Sequence, residues 1–201
     1  MSLTDDFLKR LREMITAVPP ALLEPAMFDS FRYTTTGNNL CHSRTLGFLA
    51  KAAWLMPATA AVEIDVPLNL GTGIKFKPDI VVRDRKATER LIIDFEGPNN
   101  CDARIVDKDV GHYIRWVKER SDRVEYLIIT SLPSRKRSAS QWEVRHYRNV
   151  DHPKDLIRQN PLAYWYGYYR DKLNPEWRQF PIQFANFDGS KLEICTRMLL
   201  P

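Results

Sequence analysis

Apolar residues recur with two different periods along this chain, and the change of period separates predicted helices from predicted strands. Apolar positions three and four residues apart predict helices at residues 4–17, 43–55 and 102–120. Short apolar runs rich in β-branched residues predict strands at residues 61–68, 74–82, 90–96 and 124–130. From the second helix onward, the predicted order is helix, three strands, helix and strand.

Turn signals connect these elements. Gly71-Thr72-Gly73 predicts a hairpin between the first two strands, Gly97-Pro98-Asn99-Asn100 ends the third, and Asp102 can cap the helix that follows. A helix between two strands implies a right-handed crossover and parallel pairing. The pattern therefore predicts an α/β fold with a mixed central sheet flanked by helices.

The part of the chain after residue 130 has a weaker pattern. It predicts a strand at residues 141–147, a helix at residues 161–172 and a hairpin that turns at Asp188-Gly189. A chain of 201 residues fits a single domain. We therefore expect one domain over residues 1–201, with a core at about residues 40–130 and an α+β extension at about residues 131–201.

Charge and aromatic residues are concentrated in the second half. The net charge is +5, and residues 1–100 carry 12 basic and 12 acidic residues against 18 and 13 in residues 101–201. Eleven of the 22 aromatic residues lie between residues 142 and 187, close to the basic run Arg135-Lys136-Arg137. Basic and aromatic side chains together are typical of a nucleic-acid surface. A packed core, a homodimer interface or a solvated loop would explain them as well.

Cysteine usage and hydropathy bear on the compartment. Cys41, Cys101 and Cys195 are far apart and odd in number, which supports neither a disulfide framework nor a zinc ribbon. No charged-then-apolar leader opens the sequence, and the most apolar stretch, residues 46–62, is interrupted by Lys51 and Pro57. We expect a soluble cytoplasmic protein that does not enter a membrane.

Three carboxylates lie in the second and third predicted strands. Asp79 is in the second, and Asp94 and Glu96 are in the third, on one face because strand side chains alternate. If these strands are neighbours, Asp79 joins the other two and forms an acidic cluster suited to Mg²⁺ or Mn²⁺. Buried carboxylates otherwise need cations, and Lys75, Lys77 or Arg90 could supply them as salt bridges.

Pro78-Asp79 followed by Asp94-Phe95-Glu96, on strands in this order, resembles the active-site motif of the PD-(D/E)XK nuclease superfamily. The resemblance covers roughly residues 40–130. It implies a restriction-endonuclease-like fold with αβββαβ core order. It also implies that Asp79, Asp94 and the carbonyl oxygen of Phe95 hold a divalent ion that assists hydrolysis of a phosphodiester bond.

The third motif position departs from this family, because Glu96 stands where the family has a lysine. Some restriction endonucleases carry glutamate there, and Glu96 could act as a general base or as a ligand of a second metal ion. Lys77, two residues before Asp79, and Lys108, on the following helix, are candidates for the missing cation. Lys108 also joins Arg135, Lys136 and Arg137 as a candidate nucleic-acid contact.

Other chemistries receive less support. The four histidines, His42, His112, His146 and His152, show no zinc-site spacing and are expected to be surface or hydrogen-bonded residues. Exposure on a strand face is the favoured explanation of Glu63 and Asp65. The sequence contains no P-loop, no G-x-G-x-x-G and no G-x-S-x-G, which argues against nucleotide-driven, dinucleotide and serine-hydrolase chemistry.

The sequence thus leads to three hypotheses. The first is a Mg²⁺-dependent endonuclease that acts on DNA, restriction-like or directed at foreign or mobile DNA. The second is a catalytically inactive nuclease-fold protein that binds nucleic acid or a protein partner. The third is an assembly protein that uses the aromatic C-terminal region as a dimer interface. The residues leave open whether the nucleic acid is DNA or RNA.

Overall fold

The computed structural model describes residues 2–17, 35–69, 75–96, 103–131, 179–187 and 197–198. Within these ranges the helices are α1 (Leu3–Ala17), α2 (Thr35–Trp54) and α3 (Ala103–Lys118). The strands are β1 (Ala61–Ile64), β2 (Leu68–Asn69), β3 (Lys75–Phe76), β4 (Ile80–Arg83), β5 (Glu89–Glu96), β6 (Glu125–Ser131), β7 (Ile182–Phe187) and β8 (Arg197–Met198). The class is mixed α/β, as the sequence pattern predicts.

Six of these strands form one mixed sheet in the order β1-β4-β5-β6-β7-β8. The pairs β1-β4, β4-β5 and β7-β8 are antiparallel, whereas β5-β6 and β6-β7 are parallel. The parallel pairing of β5 with β6 confirms the prediction made from the helix that joins them. Two strands from the C-terminal part of the chain continue the same sheet beyond β6.

The predicted hairpin of the first two long strands is interrupted. β1 pairs with β4 up to Ile64 and Ile80, and β2 and β3 then form a separate short ladder with Leu68 opposite Phe76. Between the ladders Asp65 has a φ of 59°, and its N–H donates to the carbonyl oxygen of Asp79 at 2.9 Å. A left-handed residue breaks the regular pleat, so Asp79 lies just before β4 rather than inside it.

Helices cover both faces of the sheet. On one face α1 and α2 bury an apolar cluster against alternate residues of the strands, including Phe7, Leu11, Leu46, Leu49, Ile80, Val82, Leu91, Ile93, Phe95, Leu127 and Ile129. On the other face α3 packs its Tyr113 ring on Tyr126, with ring centroids 4.5 Å apart, and Trp116 lies against Phe76. Ile92, Asp94, Tyr126 and Ile128 belong to this second face by alternation.

A network of ion pairs holds the strand ends opposite the start of β4. The guanidinium of Arg83 bonds to Glu63 on β1 at 2.8 Å and also to Glu89 on β5. Glu89 accepts a second bond from Arg120, whose guanidinium lies 4.5 Å from the Trp116 ring centroid. Glu63 is thereby part of a structural network that ties β1, β4, β5 and the end of α3 together.

The first helix is capped by a residue from β6. The side chain of Glu125 accepts hydrogen bonds from the N–H groups of Leu3 and Thr4, at 3.1 and 2.9 Å, and from the hydroxyl of Thr4 at 2.7 Å. A carboxylate at this position satisfies free N–H donors and interacts favourably with the positive end of the helix dipole. These hydrogen bonds anchor the start of α1 to the start of β6, an internal strand of the sheet.

Several predicted features lie outside the described residues. These are the turn at Gly71-Thr72-Gly73, the cap at Asp102, the strand at residues 141–147, the helix at residues 161–172 and the turn at Asp188-Gly189. In the part of the chain that the structure does describe, no helix has the length and apolar character needed to cross a membrane.

Candidate functional site

The structure brings Asp79 and Asp94 together at one end of β4 and β5. The backbone N–H of Asp79 donates to Oδ1 of Asp94 at 2.8 Å, and the N–H of Phe95 donates to Oδ2 of Asp79 at 2.7 Å. Asp94 therefore accepts a hydrogen bond from the backbone of Asp79 itself, and Asp79 accepts one from Phe95, the residue after Asp94. We call Asp79 and Asp94 the acid pair.

Asp94 is the buried member of the acid pair, with 5% of its surface exposed. The hydroxyl of Tyr126 on β6 donates a hydrogen bond to its Oδ2. Burial, and next the charge of Asp79, raise the pKa of Asp94 well above its ordinary value, although the bonds from Tyr126 and from the Asp79 N–H oppose that rise. Asp109 on α3 adds a further negative charge nearby.

Asp79 is the more accessible member and contacts His42 on α2. The imidazole Nε2 of His42 lies 3.2 Å from Oδ1 of Asp79, and the His42 ring centroid is 5.9 Å from that of Phe95. An ionised carboxylate can only accept, so Nε2 is the donor. The hydrogen bond to Asp79 raises the pKa of His42, against the opposing effect of burial.

The two candidate lysines form ion pairs with carboxylates outside the acid pair. The ammonium of Lys77 is 3.1 Å from Oδ1 of Asp65, and both side chains are more than half exposed. Lys108 is exposed on α3, with its ammonium 3.2 Å from Asp109. Arg90, a further cation considered from the sequence, bonds to Asp84 at 2.7 Å. The described partners of the acid pair are instead His42, Tyr126 and two backbone N–H groups.

Other predicted site residues are less well placed or lie outside the description. Glu96 ends β5, two residues after Asp94, and its side chain is outside the described part of the structure. The same holds for the side chain of Lys75 and for the basic run Arg135-Lys136-Arg137. These residues remain predictions from the sequence.

The chemistry of the acid pair suits a hard divalent cation. Burial first and the charge of Asp79 second raise the pKa of Asp94, and a cation held by both carboxylates would offset the repulsion between them. Among the described side chains, no group of three or more His, Cys, Asp or Glu residues is arranged to hold a metal ion. The acid pair therefore supplies two side-chain ligands, and further ligands must come from backbone, water or Glu96.

Sequence reasoning missed His42 and Tyr126 as parts of this site. His42 precedes Leu46 by four residues and Leu49 by seven, which places it on the buried face of α2. Tyr126 is the one aromatic residue of β6, and it lies on the same face as Asp94. Both signals were present in the sequence, but the contacts span 37 and 32 residues.

Comparison of this chain with protein-family models, curated proteins and solved structures found no match. The chemistry of the site must therefore be derived from its own residues and from their placement in the fold.

Proposed function

We propose that this protein is a metal-dependent endonuclease that hydrolyses phosphodiester bonds in DNA. The observation that carries the proposal is the reciprocal bonding of Asp79 and Asp94, which fixes two carboxylates at the ends of adjacent antiparallel strands. Apart from the short β2–β3 ladder between β1 and β4, the order α2, β1, β4, β5, α3, β6, with β5 parallel to β6, is also the order expected of the PD-(D/E)XK nucleases. We therefore include membership of that superfamily, with its restriction-endonuclease-like fold, in the proposal.

In this mechanism Asp79, Asp94 and the carbonyl oxygen of Phe95 are the ligands of Mg²⁺ or Mn²⁺. The ion, when bound, polarises the phosphate and lowers the pKa of a water molecule. Asp94 would bind as a carboxylate, and a cation held there would offset the burial and the charge of Asp79 that raise its pKa. Tyr126 and the Asp79 N–H hold the Asp94 oxygens in place, and His42 does the same for Asp79.

The remaining catalytic roles fall to Glu96 and the two lysines. Glu96 acts as a general base or as a ligand of a second ion. Exposed ion pairs contribute at most about 1 kcal/mol, so Lys77 and Lys108 are held weakly by Asp65 and Asp109. Either ammonium could turn toward a bound phosphate at little cost.

The net charge of +5 supports a polyanionic partner. In the proposal, Arg135, Lys136 and Arg137 contact phosphates, and Lys108 adds a contact from α3. Restriction or defence against foreign or mobile DNA is the role most consistent with such an enzyme. The aromatic-rich C-terminal region leaves homodimer formation as part of the same proposal.

A second function has a specific observation in its favour. Each of the four oxygens of the acid pair already has a hydrogen-bond partner within the protein, His42, the Phe95 N–H, the Asp79 N–H or Tyr126. Such a pair could serve as a structural clamp. With glutamate in place of the motif lysine, the chain would then be an inactive nuclease-fold protein that binds nucleic acid or a protein partner.

Cleavage of supercoiled plasmid in Mg²⁺, Mn²⁺ or chelator separates the two functions. We expect metal-dependent nicking by the wild type and a loss of about 100-fold or more in Asp79→Asn and Asp94→Asn, because each removes a ligand charge. Asp84→Asn is the matched control, since Asp84 is a carboxylate bonded to Arg90 away from the acid pair. Full activity in either ligand variant would refute this site, and an inactive wild type would favour the binding function.

Glu96→Gln and Glu96→Lys test the departure from the family motif. We expect both to lose cleavage, because the amide cannot take a proton from water and the ammonium competes directly with the metal ion. Gain of cleavage in Glu96→Lys would show instead that the chain is a degenerate nuclease whose motif the lysine restores.

A further inference from the structure

Helix α2 carries a second regular stripe, on the side that faces away from the sheet. The core-facing positions are almost fully buried, with spacings of three, four and three residues, and are Leu46, Leu49, Ala53 and Met56. An exposed stripe repeats the same spacing and consists of Arg44, Gly47, Lys51 and Trp54. We call these four residues the outer stripe. It spans ten residues of helix, or about 15 Å.

The outer stripe ends in an exposed indole ring. Trp54 is 59% exposed, more than any other large apolar side chain among the described residues. The helix end that carries it is fixed, because the hydroxyl of Thr59 donates to the carbonyl oxygen of Ala53 at 2.8 Å. A Cβ atom at Gly47 would meet no other atom within 4 Å, so the middle of the stripe is open to a partner. An exposed ring on a rigid helix offers a flat surface for stacking.

The charge of the outer stripe has one sign. Residues 30–62 contain no Asp or Glu, and the Lys and Arg residues of α2 are Arg44 and Lys51. In the described part of the chain, neither of these two cations forms an ion pair. By contrast, Arg83 and Arg90 are bonded to carboxylates. Two cations that are not neutralised within the protein suit a polyanionic partner.

The composition of the stripe argues against two other partners. A second copy of the chain would place the same cations against each other, which is unfavourable. Helices that bind a membrane surface need a free apolar face, whereas the apolar face of α2, with Leu46 and Leu49, is buried in the core. A polyanion that also offers flat rings is a nucleic acid, and its bases are free to stack on a side chain where they are unpaired.

We propose that the outer stripe binds single-stranded DNA, with phosphates on Arg44 and Lys51 and an unpaired base stacked on Trp54. The stripe is separate from the acid pair, which His42 contacts from α2. Trp54 lies twelve residues, or about 18 Å of helix, beyond His42. The choice of DNA over RNA rests on the proposed function, because the proposed substrate is DNA.

Fluorescence anisotropy of a labelled oligothymidylate measures this binding in the 201-residue chain. A chelator is present, so that no strand is cleaved by a metal-dependent reaction. We expect Trp54→Ala to lose about 5- to 100-fold in affinity and Trp54→Phe to keep most of it, because a phenyl ring still stacks. Leu55→Ala is the matched control. It removes a neighbouring side chain that is 52% exposed, and it should leave the affinity unchanged.

The salt dependence of the affinity tests the two cations. Each phosphate contact on a single strand contributes about 0.7 to the slope of log affinity against log salt. Replacing Arg44 and Lys51 together by glutamine should therefore lower that slope by about 1.4. The matched control replaces Arg85 and Lys86, which are exposed in the turn between β4 and β5, and should leave the slope unchanged. An equal fall in both double variants would indicate general charge attraction and would overturn the inference.

Photo-cross-linking to an oligonucleotide that contains 5-iodouracil locates the contact. Trypsin cleaves after Lys51 and Lys75, and Trp54 is the one aromatic residue of the peptide between them. We expect the cross-link in this peptide, and we expect its loss in Trp54→Ala. Cross-links confined to other peptides would overturn the inference, as would an unchanged affinity in Trp54→Ala.

Other occupants of the outer stripe would give different results. A dimer that Trp54→Ala dissociates in sedimentation velocity would assign the stripe to a second copy. Phosphatidylserine vesicles that bind the wild type but not Trp54→Ala would assign it to a membrane surface. Equal affinity for duplex and single strands would remove the stacked base, and tighter binding of oligouridylate would remove the choice of DNA. Each of these results would overturn the inference.

The results also separate this inference from the proposed function. Single-strand binding through Trp54 in a protein that cleaves no plasmid would support the inference and refute the endonuclease. Metal-dependent plasmid cleavage, with unchanged single-strand affinity in Trp54→Ala, would support the endonuclease and refute the inference.

Discussion

Tyr126→Phe removes one hydroxyl from the buried side of the acid pair. That hydroxyl donates to Oδ2 of Asp94, while the ring stacks on Tyr113 with centroids 4.5 Å apart. Phenylalanine keeps the ring and its packing, so the variant isolates the hydrogen bond. Asp94 is 5% exposed, and water therefore has little access to the oxygen that loses its partner.

The expected loss follows from the charge of the acceptor. A buried hydrogen bond to a charged group contributes about 1.5–3 kcal/mol, and at this chain length that corresponds to a fall in Tm of about 3–12 °C. The bond also lowers the pKa of Asp94, so its removal raises that pKa further.

The loss should depend on pH in a defined direction. A carboxyl group whose pKa is raised on folding makes the protein less stable as the pH rises from the unfolded-state pKa to the folded-state pKa. Tyr126→Phe moves the folded pKa of Asp94 upward. The free energy of unfolding of the variant should therefore continue to fall to a higher pH than that of the wild type. The difference between the two proteins should therefore be small in acid and larger at neutral pH.

Urea unfolding over a range of pH measures this difference. Tyr113→Phe is the matched control, because its hydroxyl donates to the neutral carbonyl of Val124 at 2.7 Å in the same aromatic stack. Burial raises the pKa of Tyr113 above its ordinary value, so its hydroxyl stays protonated. The stability lost in Tyr113→Phe should therefore not vary with pH. A pH-independent loss in Tyr126→Phe, equal to that of the control, would refute the coupling to Asp94.

Three further predictions concern Asp94 itself, the cap of α1 and the basic run of the C-terminal region. Asp94→Asn should abolish the decrease in stability with pH that begins near the ordinary aspartate pKa of 3.8. At neutral pH its free energy of unfolding should exceed that of the wild type by about 1.4 kcal/mol for each unit by which the Asp94 pKa is raised. Parallel pH profiles of the two proteins in urea unfolding would contradict this prediction. Glu125→Ala should cost about 1–2 kcal/mol by uncapping α1, with loss of amide protection confined to that helix in hydrogen exchange, and uniform loss would point to another cause. Charge reversal at Arg135, Lys136 and Arg137 should flatten the plot of log DNA affinity against log salt, and an unchanged slope would exclude them as phosphate contacts.

The sequence was most informative where local pattern and connection rules agree. The four-three-four spacing of Val106, Val110, Tyr113 and Val117 identified α3, and a helix between two strands required the parallel pairing of β5 and β6. β7 was harder to place. Its pairing with β6 joins residues such as Tyr126 and Ile182, which are 56 positions apart in the chain, and no short-range pattern encodes that pairing.

At the site, adjacent strands were enough to predict that Asp79 and Asp94 meet. The reciprocal hydrogen bonds could not be predicted, because they need the chain to leave the ladder at Asp65, whose positive φ is unusual for a residue with a side chain. His42 was missed because zinc-site spacing tests neighbours in sequence. Its partner is 37 residues away and is reached only when α2 packs on the sheet.

The cap of α1 has a consequence for how this chain folds as it is made. Thr4 and its partner Glu125 are separated by 121 residues, and at ribosomal rates of 5–20 residues per second the second is added about 6–24 s after the first. During that interval α2, β1, β4 and β5 are made, but the N–H groups at the start of α1 lack the carboxylate that binds them in the native protein. α1 can thus complete its native cap only after β6 has been made, and we expect the N–H groups at its start to remain solvated until then.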